Sequence, residues 1–178
     1  MSARALLLAA VCALGACTAQ DLSHYSDQRP QLDLGRFFAG TSDAWGVFEK
    51  RNGEVVRRFH VLIEGREEGD TLVLDEHFEY SDGTRQQRTW TLRRGASGHW
   101  SGTAADVVGV ADGGVAGNTL HWGYVLRLPV GDRSYDVTFD DWMYLLDEST
   151  LVSLAHMSKF GVRLGRVTLL FRKRGAPP

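Results

Sequence analysis

Cysteine is nearly missing from this chain. Of its 178 residues only Cys12 and Cys17 are cysteines, and both lie in the first seventeen. No disulfide can staple the remainder, so its stability must come from a hydrophobic core. Proline is also scarce, at four, against twenty glycines and five tryptophans, a balance that suits many turns around an aromatic interior. There is no basic excess: 20 Lys and Arg stand against 22 Asp and Glu, a net charge of −2, which argues against a nucleic-acid partner. No apolar run approaches the ~20 residues needed to cross a bilayer as a helix. The six histidines, at 24, 60, 77, 99, 121 and 156, show no His-x-x-x-His spacing, so no metal site is expected. No Gly-x-Ser-x-Gly elbow, phosphate loop or dinucleotide fingerprint is present. Neither a cofactor nor enzymatic activity is expected.

What is present begins at the N-terminus. Arg4 forms a small basic head, and Ala5 to Leu14 is a short apolar stretch of the length found in secretory signals. Leu14-Gly15-Ala16-Cys17 then matches the lipobox of bacterial lipoprotein signals residue by residue. That resemblance implies cleavage before Cys17, acylation of its sulfur and a stable membrane anchor, since two or more acyl chains hold where one is marginal. Thr18, standing where Asp would signal retention in the inner membrane, points to the outer membrane, with the domain facing the periplasm. Arg4 is the one charged residue among the first sixteen, so its removal would take the net charge to −3. The expected organisation is a signal over 1–16, a lipidated tether over 17–31, one domain over 32–174 and a tail over 175–178. Fully extended, Thr18 to Gln31 would reach ~45–50 Å.

From Leu32 to Phe38 the apolar spacing suits a short helical turn, and after Trp45-Gly46 the hydrophobic period becomes two. Phe59, Val61 and Ile63 alternate, as do Leu72, Leu74, Phe78 and Tyr80. Ser81-Asp82-Gly83-Thr84 reads as a hairpin turn, and Trp90 and Leu92 lie on the returning strand. Shorter strands are expected at Gly98–Ala104 and Val107–Ala111, the second ended by a turn at Asp112-Gly113-Gly114. Gly117-Asn118 turns the chain into the clearest strand, with Leu120, Trp122, Tyr124, Leu126 and Leu128 on one face. Tyr135–Leu146, Leu151–Met157 and Val162–Phe171 complete about ten strands. Short links favour antiparallel neighbours, and closing a meander removes its edges. The expected fold is an all-β, antiparallel up-and-down β-barrel of the lipocalin or calycin type; the alternative is a two-sheet β-sandwich.

The stretches Leu34-Gly35-Arg36-Phe37-Phe38-Ala39-Gly40, Ala44-Trp45-Gly46, Tyr80-Ser81-Asp82-Gly83, Phe139-Asp140-Asp141-Trp142-Met143-Tyr144 and Met157-Ser158-Lys159-Phe160-Gly161 resemble a family of bacterial predicted lipoproteins catalogued as a domain of unknown function. The resemblance covers most of the chain and implies no activity. The similarity to lipocalins is architectural: they open with a helical turn and Gly-x-Trp, whereas here Gly40 and Trp45 stand further apart.

Three charged residues fall on faces that otherwise read as interior: Glu76 with Leu72, Leu74 and Phe78; Arg88 with Trp90 and Leu92; Asp141 with Val137, Phe139 and Met143. The hairpin at Asp82-Gly83 is expected to set Glu76 opposite Trp90, with Arg88 a diagonal neighbour. A charge inside a barrel must be paired or hydrogen-bonded; such groups either form a structural ion pair or meet the polar head of an amphiphile. Alternation breaks at Asp140-Asp141, where a β-bulge is expected. Neighbours on a strand point to opposite faces, so these aspartates should not converge for acid–base work. The candidate ligand-facing residues are Trp45 on the first strand, the charged trio, the aromatic Trp90, Trp122 and Tyr124, and Met143. The leading functional expectation is a membrane-anchored protein binding a lipid or other small amphiphile inside the barrel. The alternative is a non-enzymatic structural or interaction protein with a filled core that assists an envelope complex.

Overall fold

Residues 20–175 are described by a computed structural model; the signal, Cys17 and the last three residues of the expected tail lie outside them. Ten strands form one closed barrel: β1 (Gly40–Lys50), β2 (Val55–Glu68), β3 (Thr71–Tyr80), β4 (Arg85–Arg94), β5 (His99–Thr103), β6 (Ala111–Ala116), β7 (Thr119–Val130), β8 (Arg133–Asp147), β9 (Thr150–Lys159) and β10 (Val162–Lys173). Each strand pairs antiparallel with its sequence neighbours, and β1 closes on β10. The barrel is therefore up-and-down, as expected, and not a sandwich. The two-residue period explains it: along β7, Leu120, Trp122 and Leu126 are buried while the alternate positions face out.

One end is shut. Helix α1 (Leu34–Phe38) begins at Asp33, whose carboxylate accepts the Arg36 backbone N–H. Leu34, Phe37 and Phe38 are buried, and Phe38 meets Phe171 edge-on at 5.7 Å. At the C-terminal end of α1, the Lys173 ammonium donates to the carbonyls of Arg36, Phe37 and Ala39, which satisfies oxygens the helix leaves unpaired. The opposite end carries the β1–β2, β3–β4, β7–β8 and β9–β10 turns and the 104–110 segment.

Two expectations about the strands need correction. Residues 104–110 form no strand. Val107 makes a lone bridge to Leu126, and the amides of Val108 and Arg127 bond across to Val125 and Asp106 carbonyls. The following strand is β6 itself, running through Asp112-Gly113-Gly114. Gly113 marks a close approach, not a turn: a Cβ there would collide with the backbone and Cβ of β7 around Trp122. Nor is there a bulge at Asp140-Asp141. Pairing with β7 runs unbroken from Phe139 to Trp142, and the irregularity in β8 comes later, between Leu145 and Asp147 on the β9 side.

The break in alternation has another cause. Trp142 and Tyr144 point outward but are covered by the N-terminal segment. Tyr25, in a 3-10 turn over Leu22–Tyr25, packs on both rings at 6.0 and 5.7 Å. Gln20 donates to the Tyr25 and Tyr144 hydroxyls, and Leu32 N–H bonds to the Gly117 carbonyl. Most of the stretch read as a free tether therefore lies against the wall. Gly117, at φ +55, has no room for a Cβ against the Tyr25 carbonyl. Gly117→Ala is expected to cost ~1–3 kcal/mol by overpacking and to unseat residues 20–32. Denaturation and backbone hydrogen exchange would check it; unchanged protection of the Leu32 amide would refute it.

Candidate functional site: a charged cluster inside the barrel

Ten strands enclose more space than their own side chains fill. A cavity of about 500 Å³ runs from α1 to the open end, within the ~300–1,000 Å³ range of small-molecule sites. Its floor is aliphatic, with Leu34, Ile63, Leu74, Leu92 and Leu120. Its upper wall carries Phe48, Phe59, Phe78, Phe139, Met157 and Leu169. Around the mouth, Val56, Val130, Val162 and Leu164 are exposed, and Phe160 at the β9–β10 turn is 92 % exposed.

The charged residues sit between floor and mouth. Glu76 pairs directly with Arg88 across β3 and β4, which corrects the expected diagonal placement: the hairpin closes with Glu79 opposite Arg85. Arg88 Nη1 lies 3.6 Å from Glu76 Oε2. The rest of the guanidinium is committed elsewhere, since Nε and Nη2 donate to both Asp106 oxygens at 2.7–3.1 Å. Glu76 Oε2 is out of solvent contact and has no hydrogen-bond partner among the described residues. Burial pushes the Glu76 carboxyl up to about 7, against the pull of Arg88, and Asp106 adds to the rise.

Asp141, on β8, also faces in and is 3 % exposed. Ser153 Oγ donates to it at 2.7 Å, Trp122 Nε1 at 3.3 Å and the Tyr124 hydroxyl at 3.5 Å. Burial still outweighs these donors and lifts its carboxyl to about 6. The aromatics join the two polar groups. Trp90 lies 5.2 Å from Trp122 and 5.6 Å from Tyr124, and Tyr124 stacks on Phe139 at 5.1 Å. Met143 is buried and lines the cavity beside them.

Of the residues selected from sequence, Glu76, Arg88, Trp90, Trp122, Tyr124, Asp141 and Met143 thus meet in one cavity. Trp45 does not. It is on the outer face of β1, half exposed and packed on His60 at 5.5 Å; Ala44 and Phe48 are the inward residues there. Two members were missed. Asp106 belongs to an irregular segment, where no period can assign a face. Ser153 was legible, as a small polar residue in line with Leu151, Ala155 and Met157. Among the described residues no group of three His, Cys, Asp or Glu side chains is placed to hold a metal ion. No helix there is long and apolar enough to cross a membrane.

Comparison with known proteins follows the same lines. A family model described as "Protein of unknown function (DUF3833)" matches residues 11–173. No curated protein matches. Among solved structures, the S-type phycobiliprotein lyase CPES from Guillardia theta is similar at 6% identity with a TM-score of 0.58, covering 89% of this chain and 100% of that one. A de novo designed fluorescence-activating β-barrel is similar at 10% identity with a TM-score of 0.45, covering 80% of this chain and 99% of the design. At such identities the likeness to the lyase is one of fold.

Proposed function

We propose, for a chain that belongs to the DUF3833 family of proteins of unknown function, that it carries a lipid or other small amphiphile inside its barrel. The observation that carries this reading is the cavity: apolar at the floor, polar at mid-depth, and open at a mouth where Val56, Val130 and Leu164 stand among Lys50, Arg57 and Arg127. A filled core, as the interaction-protein alternative assumed, does not fit that space. Val56, Val130 and Leu164 at the mouth and Phe48, Phe59 and Leu169 below them give an acyl chain apolar contacts on the way inward.

The lipobox supports an anchor on Cys17 and a place at the periplasmic face of the outer membrane. Gln20 lies beside Tyr144, near the β6–β7 turn of the closed end. Three residues span at most ~10 Å, so an anchor at Cys17 would hold the closed end toward its own bilayer and turn the mouth away. Such a carrier would exchange cargo with whatever faces it across the periplasm.

One measurement tests both parts: mass spectrometry of the full chain, expressed in a bacterial host and purified in mild detergent. The intact denatured mass should start at Cys17 and include acyl groups. The native mass should include a stoichiometric amphiphile, identifiable by solvent extraction. A clean apo mass, unchanged after incubation with envelope lipids, would count against the carrier, and an unacylated chain against the anchor. A second reading has one observation in its favour: Glu76 is a cavity carboxyl lifted to about 7, as general acids and bases often are. Recovery of the bound molecule unchanged after long incubation would count against it.

A further inference from the structure

The interior is strongly biased toward one kind of head group. At mid-depth three carboxylates, Glu76, Asp106 and Asp141, face one cation, Arg88, whereas the other lining cations, Lys50, Arg57 and Arg127, lie toward the mouth. Arg88 is already held by Asp106 through two nitrogens, and its third faces Glu76. A carboxylate or phosphate could be met at the mouth by Lys50 and by Arg57, whose Nε has no partner among the described residues, but at mid-depth it would find the Arg88 guanidinium taken and the acids unshielded. A donor would find the opposite. Glu76 Oε2 lacks any donor among the described residues, and the Asp141 Oδ2 donors stand at 3.3 and 3.5 Å, at the long end of a hydrogen bond. Between these acceptors lie the faces of Trp90, Trp122 and Tyr124. The faces of indole and phenol rings attract cations through the ring quadrupole.

We propose that Glu76 and Asp141, with Trp90, Trp122 and Tyr124, form a head-group subsite for a cationic amphiphile, one whose protonated amine seats at mid-barrel while its chain lies along the apolar wall. The proposal rests on the carrier reading and narrows it. In this arrangement the ammonium supplies the hydrogen that Glu76 Oε2 is missing and offsets the excess of carboxylates. The Trp90–Trp122 pair walls it from water, and Asp106 keeps Arg88 drawn toward the 104–110 segment.

The test compares three ligands with one hydrocarbon chain and different heads: dodecylamine, dodecanol and dodecanoate, each below its micelle concentration. Each is titrated into the full chain near pH 8, with tryptophan emission as the signal and calorimetry as the check. Dodecylamine should bind about tenfold or more tighter than dodecanol, the equivalent of ~1.4 kcal/mol, and dodecanoate should bind weakest. Glu76→Gln should remove most of the amine's advantage over dodecanol. Asp141→Asn serves the same purpose should the first variant fold poorly. Dodecanoate binding as tightly as dodecylamine would overturn the cationic subsite but leave the carrier standing. An amine advantage that survives both substitutions would also overturn the subsite. Failure of all three ligands to bind would overturn the carrier itself.

Discussion

Raising the pH from about 5 to about 8 is expected to destabilise this barrel, against the habit of proteins that are most stable near neutrality. The cause is the pair of inward carboxyls. Glu76 stands at about 7 in the fold against an ordinary 4.5, with Arg88 and Asp106 facing it. Asp141 stands at about 6 against 3.8, with Ser153, Trp122 and Tyr124 facing it. Both values are raised on folding, so the native state binds protons that the unfolded chain has released. Their contribution is complete below the unfolded values and is lost as pH climbs through 6 and 7. At ~1.4 kcal/mol per unit, the combined loss is on the order of 5 kcal/mol, a large share of the ~5–15 kcal/mol that holds a domain together.

The acid limb is set by other groups. Asp43 is drawn down to about 2 by its hydrogen bond to Arg174, with His60 assisting, and Asp82 to about 2 by the Thr84 hydroxyl and amide and by Arg57. Their contribution is present above the ordinary carboxylate range and is lost as pH falls toward 2. Maximum stability is therefore expected in the mildly acid range. Denaturant midpoints measured across pH would show it, and Glu76→Gln with Asp141→Asn should flatten the alkaline limb. A midpoint that is level or rises from pH 5 to 8 would contradict the assignment.

Replacing Arg88 should have an effect of comparable size. Arg88→Met keeps the length of the side chain but removes the one cation that, among the described residues, pairs with Glu76 and Asp106. Breaking a fully buried pair in this way costs ~3–5 kcal/mol, an upper bound here because the two side chains keep 16 % and 23 % of their surface exposed. It should also release the 104–110 segment, which the Asp106 carboxylate ties to β4 while its carbonyl takes the Arg127 amide. Adding Asp106→Asn to Arg88→Met should recover much of the loss, because no uncompensated charge then remains at that position. A double-mutant cycle on the two residues isolates the coupling. A loss below ~1 kcal/mol for the single variant, the range of surface ion pairs, would refute the pair as a tie between the 104–110 segment and β4. Backbone exchange at Val108, whose amide bonds to Val125, reports the segment directly.

These predictions rest on inward faces that were largely readable in advance. Glu76 and Arg88 stood in line with apolar residues on alternating strands, Asp141 stood in line with Val137, Phe139 and Met143 although alternation broke there, and all three do point into the cavity. Reading failed where alternation stopped or was overridden. The 104–110 segment has no period, so Asp106 carried no sign of its role. Gly113-Gly114 resembled a turn because glycine serves both turns and close strand contacts, and composition cannot tell them apart. Trp142 and Tyr144 looked like evidence of a bulge because a covered outer face is as apolar as an inner one. Trp45 is the reverse case, an aromatic ring left on the outer wall.

Local pattern by itself determined nine of the ten strands, all but β6, with their antiparallel order, the helical turn before β1 and which way most side chains point. Those follow from the two-residue period and short hairpins, properties of neighbours in the chain. Only the tertiary structure decided the rest: that β1 meets β10, that residues 20–32 cover the wall at Trp142, and that Asp106 reaches Arg88 across eighteen residues. Each is a contact between segments distant in sequence, fixed by closure of the barrel. The cavity is of the same kind. Its volume depends on strand number and on what the inward side chains fail to fill, and neither Glu76 nor Asp141 acquires its raised proton affinity until closure removes the water around it.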